Sequence, residues 1–131
     1  MAYTNPKIRN VRTRFTAAQV DAGAALIAPV TGQKLRLVSC KAISIGGSAG
    51  AVTTVDILGT QAASSVKLVA YAQANLTQST VLTSGGTGAT VLTDGASFKP
   101  NDISTGITIG NTGLDLTVAT HIDVIIDYVI E

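Results

Sequence analysis

The feature that most constrains this chain is the spacing of its breaks. Clusters of Gly, Asn, Asp and Pro cut the apolar runs at the roughly 8–12-residue spacing of an all-β sandwich or barrel. Residues 24–28, 34–45, 52–58, 81–83, 90–93, 106–110, 114–118 and 121–130 read as strands. Residues 66–72 fit a strand or a helix. The breaks between them are 29–32 (PVTG), 46–50 (GGSAG), 84–88 (SGGTG), the hairpin signal Asp94-Gly95 and a turn at 111–113 (NTG). In the longest run of the first half, Leu35 and Leu37 are expected on one face, with Arg36, Val38, Cys40 and Ala42 on the other. In the closing run, Ile122, Val124, Ile126, Tyr128 and Ile130 share a face, and His121, Asp123, Ile125, Asp127 and Val129 share its opposite. That is a half-buried strand with two carboxylates outward, expected inside a sheet. Two helical stretches are expected. Residues 16–19 (TAAQ) match a capping box whose short helix Gly23 ends, and residues 72–79 do not alternate. Eight to ten strands with at most one or two helical turns predict a two-sheet β-sandwich or jelly roll.

Charge divides the chain. The 131 residues suit one domain. Only 13% are charged, against about 25% in ordinary soluble domains, while eighteen Thr supply a hydroxyl-rich surface. Up to residue 41, Lys7, Arg9, Arg12, Arg14, Lys34, Arg36 and Lys41 face Asp21 alone. Beyond it, Lys67 and Lys99 face Asp56, Asp94, Asp102, Asp115, Asp123, Asp127 and Glu131. Such asymmetry points to an electrostatic partner or to contacts between copies of the chain. Residues 1–6 read as a flexible leader. Residues 7–14 carry four cations and no acid, with strict alternation from Val11. Two readings follow: a charge-guarded edge strand, or a basic extended arm (residues 1–16) joined to a sandwich of residues 17–131. In the second, Lys7, Arg9, Arg12 and Arg14 are the charged contacts and Ile8, Val11 and Phe15 the anchors. Removing residues 1–14 should then leave the sandwich folded.

Catalytic constellations are not legible. A nucleophile relay needs a base beside the nucleophile; His121 opens a strand and Cys40 sits mid-strand as a small core residue. Asp123 and Asp127 are about 13 Å apart along one strand, too far for a glycosidase pair. The glycine clusters lack the residues of a phosphate loop or dinucleotide fingerprint. No disulfide, zinc or calcium pattern is present, so no metal, cofactor, small-molecule substrate or enzyme activity is expected. Asn75, Leu76 and Thr77 match a glycosylation acceptor, which needs a secretory route. No apolar run reaches the roughly 18 residues of a membrane helix, and the first residues do not form a secretory signal. Synthesis in a cytoplasm and no membrane contact are expected. Nucleic acid is an unfavoured partner. The aromatics are only Tyr3, Phe15, Tyr71, Phe98 and Tyr128, too few for a stacking platform, and the body of the chain is acidic.

The stretches FTAAQVDAGAALIAPVTGQKLRLVSCKAISIGG, TTVDILGT and ATHIDVIIDYVIE resemble small virion proteins of tailed bacteriophages, most closely capsid decoration (cement) proteins. The resemblance spans most of residues 8–131. It implies a β-rich subunit, often trimeric, that binds the outer capsid surface at junctions between capsomers. The implied partner is the major capsid protein, and the implied location the exterior of the virion. No catalytic residue is implied. Another virion part, such as a head fibre, a tail-associated module or a glycan-binding host-attachment module, is the alternative.

Overall fold

The computed structural model describes residues 7–131; the leader at 1–6 lies outside them. Nine strands form two antiparallel sheets. They are β1 (Arg9–Thr16), β2 (Ala24–Ile27), β3 (Leu35–Ile45), β4 (Gly50–Gln61), β5 (Ser64–Ala72), β6 (Val81–Thr83), β7 (Ala89–Val91), β8 (Ile107–Leu116) and β9 (His121–Ile130). The first sheet has the order β1-β9-β3-β6 and the second β2-β8-β4-β5-β7. Every connection crosses between the sheets except the β4–β5 hairpin and the β7–β8 link. With β7 set aside as an addition beside β5, this is the strand order of a jelly roll. β9 lies between β1 and β3, so the last strand is interior, as expected.

The core lies between the sheets. Phe15, Leu35, Leu37, Cys40, Ala42, Ile122, Val124 and Ile126 meet Val55, Ile57, Val69, Tyr71, Ile107 and Ile109. Removing any of the large ones to alanine typically costs about 2–5 kcal/mol. Val20 and Leu76, both fully buried, close the sandwich at one end. Val20 sits on α1 (Ala17–Ala22), which begins with the expected capping box: Thr16 accepts from the Gln19 N–H, and Gln19 accepts from the Thr16 N–H. Gly23, at φ 79°, ends it.

Four local expectations are corrected. In β3, Cys40 and Ala42 share the core face with Leu35 and Leu37. The register to β9 slips between Leu37 and Ser39, and this bulge at Val38 restores the inward phase. The turn expected at 111–113 is instead part of continuous β8. Thr53 is the extra residue on the facing strand, and Gly113 (φ 94°) has no room for a Cβ, which would lie 2.6 Å from Thr53 Oγ1. Asp94-Gly95 does not make a hairpin, because residues Thr93–Phe98 wind into a 3-10 helix and β7 pairs with β5. Residues 72–79 form no helix: Ala72 ends β5, residues 73–75 turn, and Gln78 bridges to Ser44. There Leu76 is drawn inward and its carbonyl accepts from the Ala49 N–H. Residues 66–72 resolve to strand within β5.

Candidate binding surface

Residues 9–16 are not an arm separate from the sandwich. They pair with β9 over their whole length, Arg9 opposite Tyr128 through Thr16 opposite His121. Phe15 is a core residue and Val11 packs against the core, so neither anchors the chain to anything outside. Removing residues 1–14 would strip an edge strand and uncover part of the core. Of the seven proposed arm residues, only Lys7, Ile8, Arg9, Arg12 and Arg14 are exposed.

Strand alternation sends Asn10, Arg12 and Arg14 to the outer face of the first sheet, beside the outward carboxylates of β9. Arg14 binds Asp123 with Nε and Nη2 at 2.7 and 3.0 Å, and Arg12 Nη2 adds a contact of 3.0 Å. Asp123 is only 1% exposed, whereas both arginines remain more than half exposed. Its carboxyl therefore sits below the ordinary carboxylate range, chiefly because Arg14 hydrogen-bonds it. Asp127 is also held low, first by Asn10 Nδ2 at 2.6 Å and then by the Ser39 hydroxyl at 2.7 Å. The outer face is thus neutralised near its middle.

Free positive charge collects elsewhere. One end of the sandwich is tied together by main-chain bonds. Lys34 and Glu131 exchange theirs at 2.9 and 2.8 Å, Asn101 donates to Leu35, Ser104 to Gln33 and Asp102 to Thr60. The β4–β5 turn is held there too, its Ala62 and Ala63 N–H groups donating to the Asp102 carboxylate. Lys34 and Lys99 lie in these segments, and Lys7 and Arg9 enter β1 beside them. None of these four cations makes an ion pair among the described side chains. The same end exposes Ile8 (58%), Phe98 (40%) and Ile103 (57%). The opposite end gathers α1, residues 46–49 and residues 117–120. It carries Asp21 and Asp115 and no lysine, and Arg14 beside it is held by Asp123. These four cations without an ion pair thus gather at one end of the sandwich, where Asp102 accepts from the main chain and Glu131 is held by Arg36. The sequence shows the first 41 residues as basic, but Lys99, 65 positions beyond Lys34, is brought to the same end only by the fold, through the Asn101–Leu35 bond.

The groups weighed for chemistry stay apart. Cys40 is buried, its thiol pushed up to about 11 by desolvation. Beside it the Tyr71 hydroxyl, also raised by burial, finds no partner in full hydrogen-bond geometry. His121 Nδ1 lies 3.1 Å from Thr120 Oγ1. Among the described residues no cleft opens and no group of three metal-ligating side chains forms, and no helix is long and apolar enough to cross a membrane. Compared with known proteins, the chain matches no family model, no curated protein and no solved structure.

Proposed function

We propose that this chain is a structural virion protein that binds the outer surface of a phage capsid as a homotrimer and cements the lattice of major capsid protein. It acts by binding and performs no catalysis. The observation that carries this reading is the basic, partly apolar end of the sandwich, where Lys7, Arg9, Lys34 and Lys99 make no ion pair among the described side chains and stand with exposed Ile8, Phe98 and Ile103. Such an end suits an acidic protein surface: charge steers and orients the encounter, and apolar burial supplies affinity. The resemblance of the sequence to decoration proteins supplies the class of partner. Three copies joined as a trimer would turn modest single contacts into avid ones.

The test is the composition and image of the particle that carries the chain. The expected result is a copy number approaching that of the capsid subunit on a quantified gel, with density on the head exterior by cryo-electron microscopy. A copy number of a few per particle, or density at the tail, overturns it. The double variant Lys34→Glu/Lys99→Glu should leave the fold intact and lower head occupancy at least fivefold.

A further inference from the structure

The edge of the first sheet has a readable hydrogen-bond phase. β1 has β9 along one flank and, among the described residues, no strand along the other. Just past the strand end, Ala17 donates to the Thr120 carbonyl at 3.1 Å. Following the register back, Phe15, Thr13, Val11 and Arg9 turn their main-chain groups toward β9. Asn10, Arg12, Arg14 and Thr16 therefore turn theirs to the open flank. Thr16 agrees, since its N–H is taken by the Gln19 side chain instead of by β9. Across β9, the reciprocal Lys34–Glu131 bonds give the matching phase, with odd-numbered β9 residues turned toward β3. Asn10, Arg12 and Arg14 thus offer three N–H and three C=O groups at a repeat of about 7 Å. No proline or bulge breaks the run.

The side chains of these residues indicate what would lie beside them. Asp123, on the one flanking strand, is a carboxylate held by Arg12 and Arg14 at 2.7–3.0 Å. Arg12 uses only Nη2 on it and keeps further donors. Lys7 and Arg9 add positive charge where the chain enters the strand, Arg9 on the opposite parity from Arg12 and Arg14. A second copy fits poorly, because antiparallel pairing of two β1 edges brings like charges together. We propose that β1 takes up an extended segment of a partner protein as a fifth strand of its sheet, the segment bearing carboxylates at alternate positions. That this partner is the capsid subunit rests on the reading given above.

The experiment uses the full chain labelled with 15N and a blocked ten-residue peptide of alternating glutamate and threonine at low salt. Amide shifts should centre on Asn10, Arg12 and Arg14, and hydrogen exchange at those three should slow at least tenfold. Val11 and Thr13, already bonded to β9, should change little. A peptide with glutamine in place of glutamate, and the variant Arg12→Gln, should each bind at least fivefold more weakly. The proposal is overturned if the three amides gain no protection, if a central proline in the peptide leaves binding unchanged, or if the chain instead dimerises through β1 in the absence of peptide. If the chain coats capsid heads but the peptide fails, the edge proposal falls alone. If the peptide binds and the heads are bare, only the capsid reading falls.

Discussion

Two carboxylates occupy equivalent places in the two sheets and are satisfied by opposite means. Asp123 stands on interior strand β9 and Asp56 on interior strand β4, both on outward faces and both nearly sealed from water. Asp123 is closed over by two guanidinium groups from β1. Asp56 accepts the Thr54 hydroxyl at 2.7 Å and the Thr112 hydroxyl at 2.6 Å; Lys67 donates to Thr112 and approaches the carboxylate only to 3.5 Å. The first carboxylate fastens an edge strand by charge. The second knits β4 to β8 in the middle of its sheet by hydroxyls, which explains part of what so much threonine is for. Guanidinium charge thus fastens the edge strand, whereas hydroxyl donors, with Lys67 at 3.5 Å, serve the carboxylate of the inner strands.

The largest effect expected is at Asp123. Asp123→Ala removes three charge-assisted bonds, each worth about 1.5–3 kcal/mol where shielded. The arginines are mostly exposed, so the solvent discount brings the total to about 2 kcal/mol. Urea unfolding should show this loss, and 1 M salt should shrink it, because screening then acts within about 3 Å. Acid gives the same information. With the folded carboxyl held below its ordinary value, the unfolded chain takes up the proton first. Asp123 therefore contributes fully above about pH 4, and its contribution is lost as pH falls toward the folded value. Asp123→Asn should flatten that acid limb, leaving the part due to Asp127.

Asp56→Ala should cost less, about 1 kcal/mol. The two hydroxyls it frees are neutral, and Thr112 is exposed enough to turn to water. This loss should shrink with salt less than that at Asp123, because only the Lys67 contact at 3.5 Å is screened. A larger loss at Asp56 than at Asp123, or an equal salt dependence, would break the contrast between the sheets.

Much of this was legible beforehand, for physical reasons that differ by element. The capping box at Thr16 and Gln19 is local, so four residues suffice to state it. The faces of β9 follow from period-two alternation, which a long, interior strand keeps. Bulges defeat the same reasoning. At Val38 one unpaired residue flips the parity of everything after it, and nothing in LRLVSCKAI announces where the slip falls. Gly113 carries a turn signal yet serves a bulge, since positive φ is common to both. The basic segment was visible, with its edge-strand alternative, but its division was not. Alternation alone places Val11 and Phe15 opposite Arg12 and Arg14; only the partner strand shows that the first pair faces the core and the second a buried Asp123. The basic end needed the fold itself, because Lys34 and Lys99 share no local pattern.

The smallest effect tests a third carboxylate, one that serves the main chain. Ala62 and Ala63 link β4 to β5 at φ 51° and 62°, a conformation that costs an L-residue roughly 1–2 kcal/mol relative to the right-handed region. Asp102 offsets this by accepting both N–H groups, at 3.2 and 2.7 Å. Ala63→Gly would relieve the steric cost but lend the unfolded chain about 0.5–1 kcal/mol of extra freedom. The steric term is the larger, so a gain of about 0.5 kcal/mol is expected, read as a higher urea midpoint at unchanged slope. A lower midpoint would mean that the Asp102 bonds already hold the turn without residual strain.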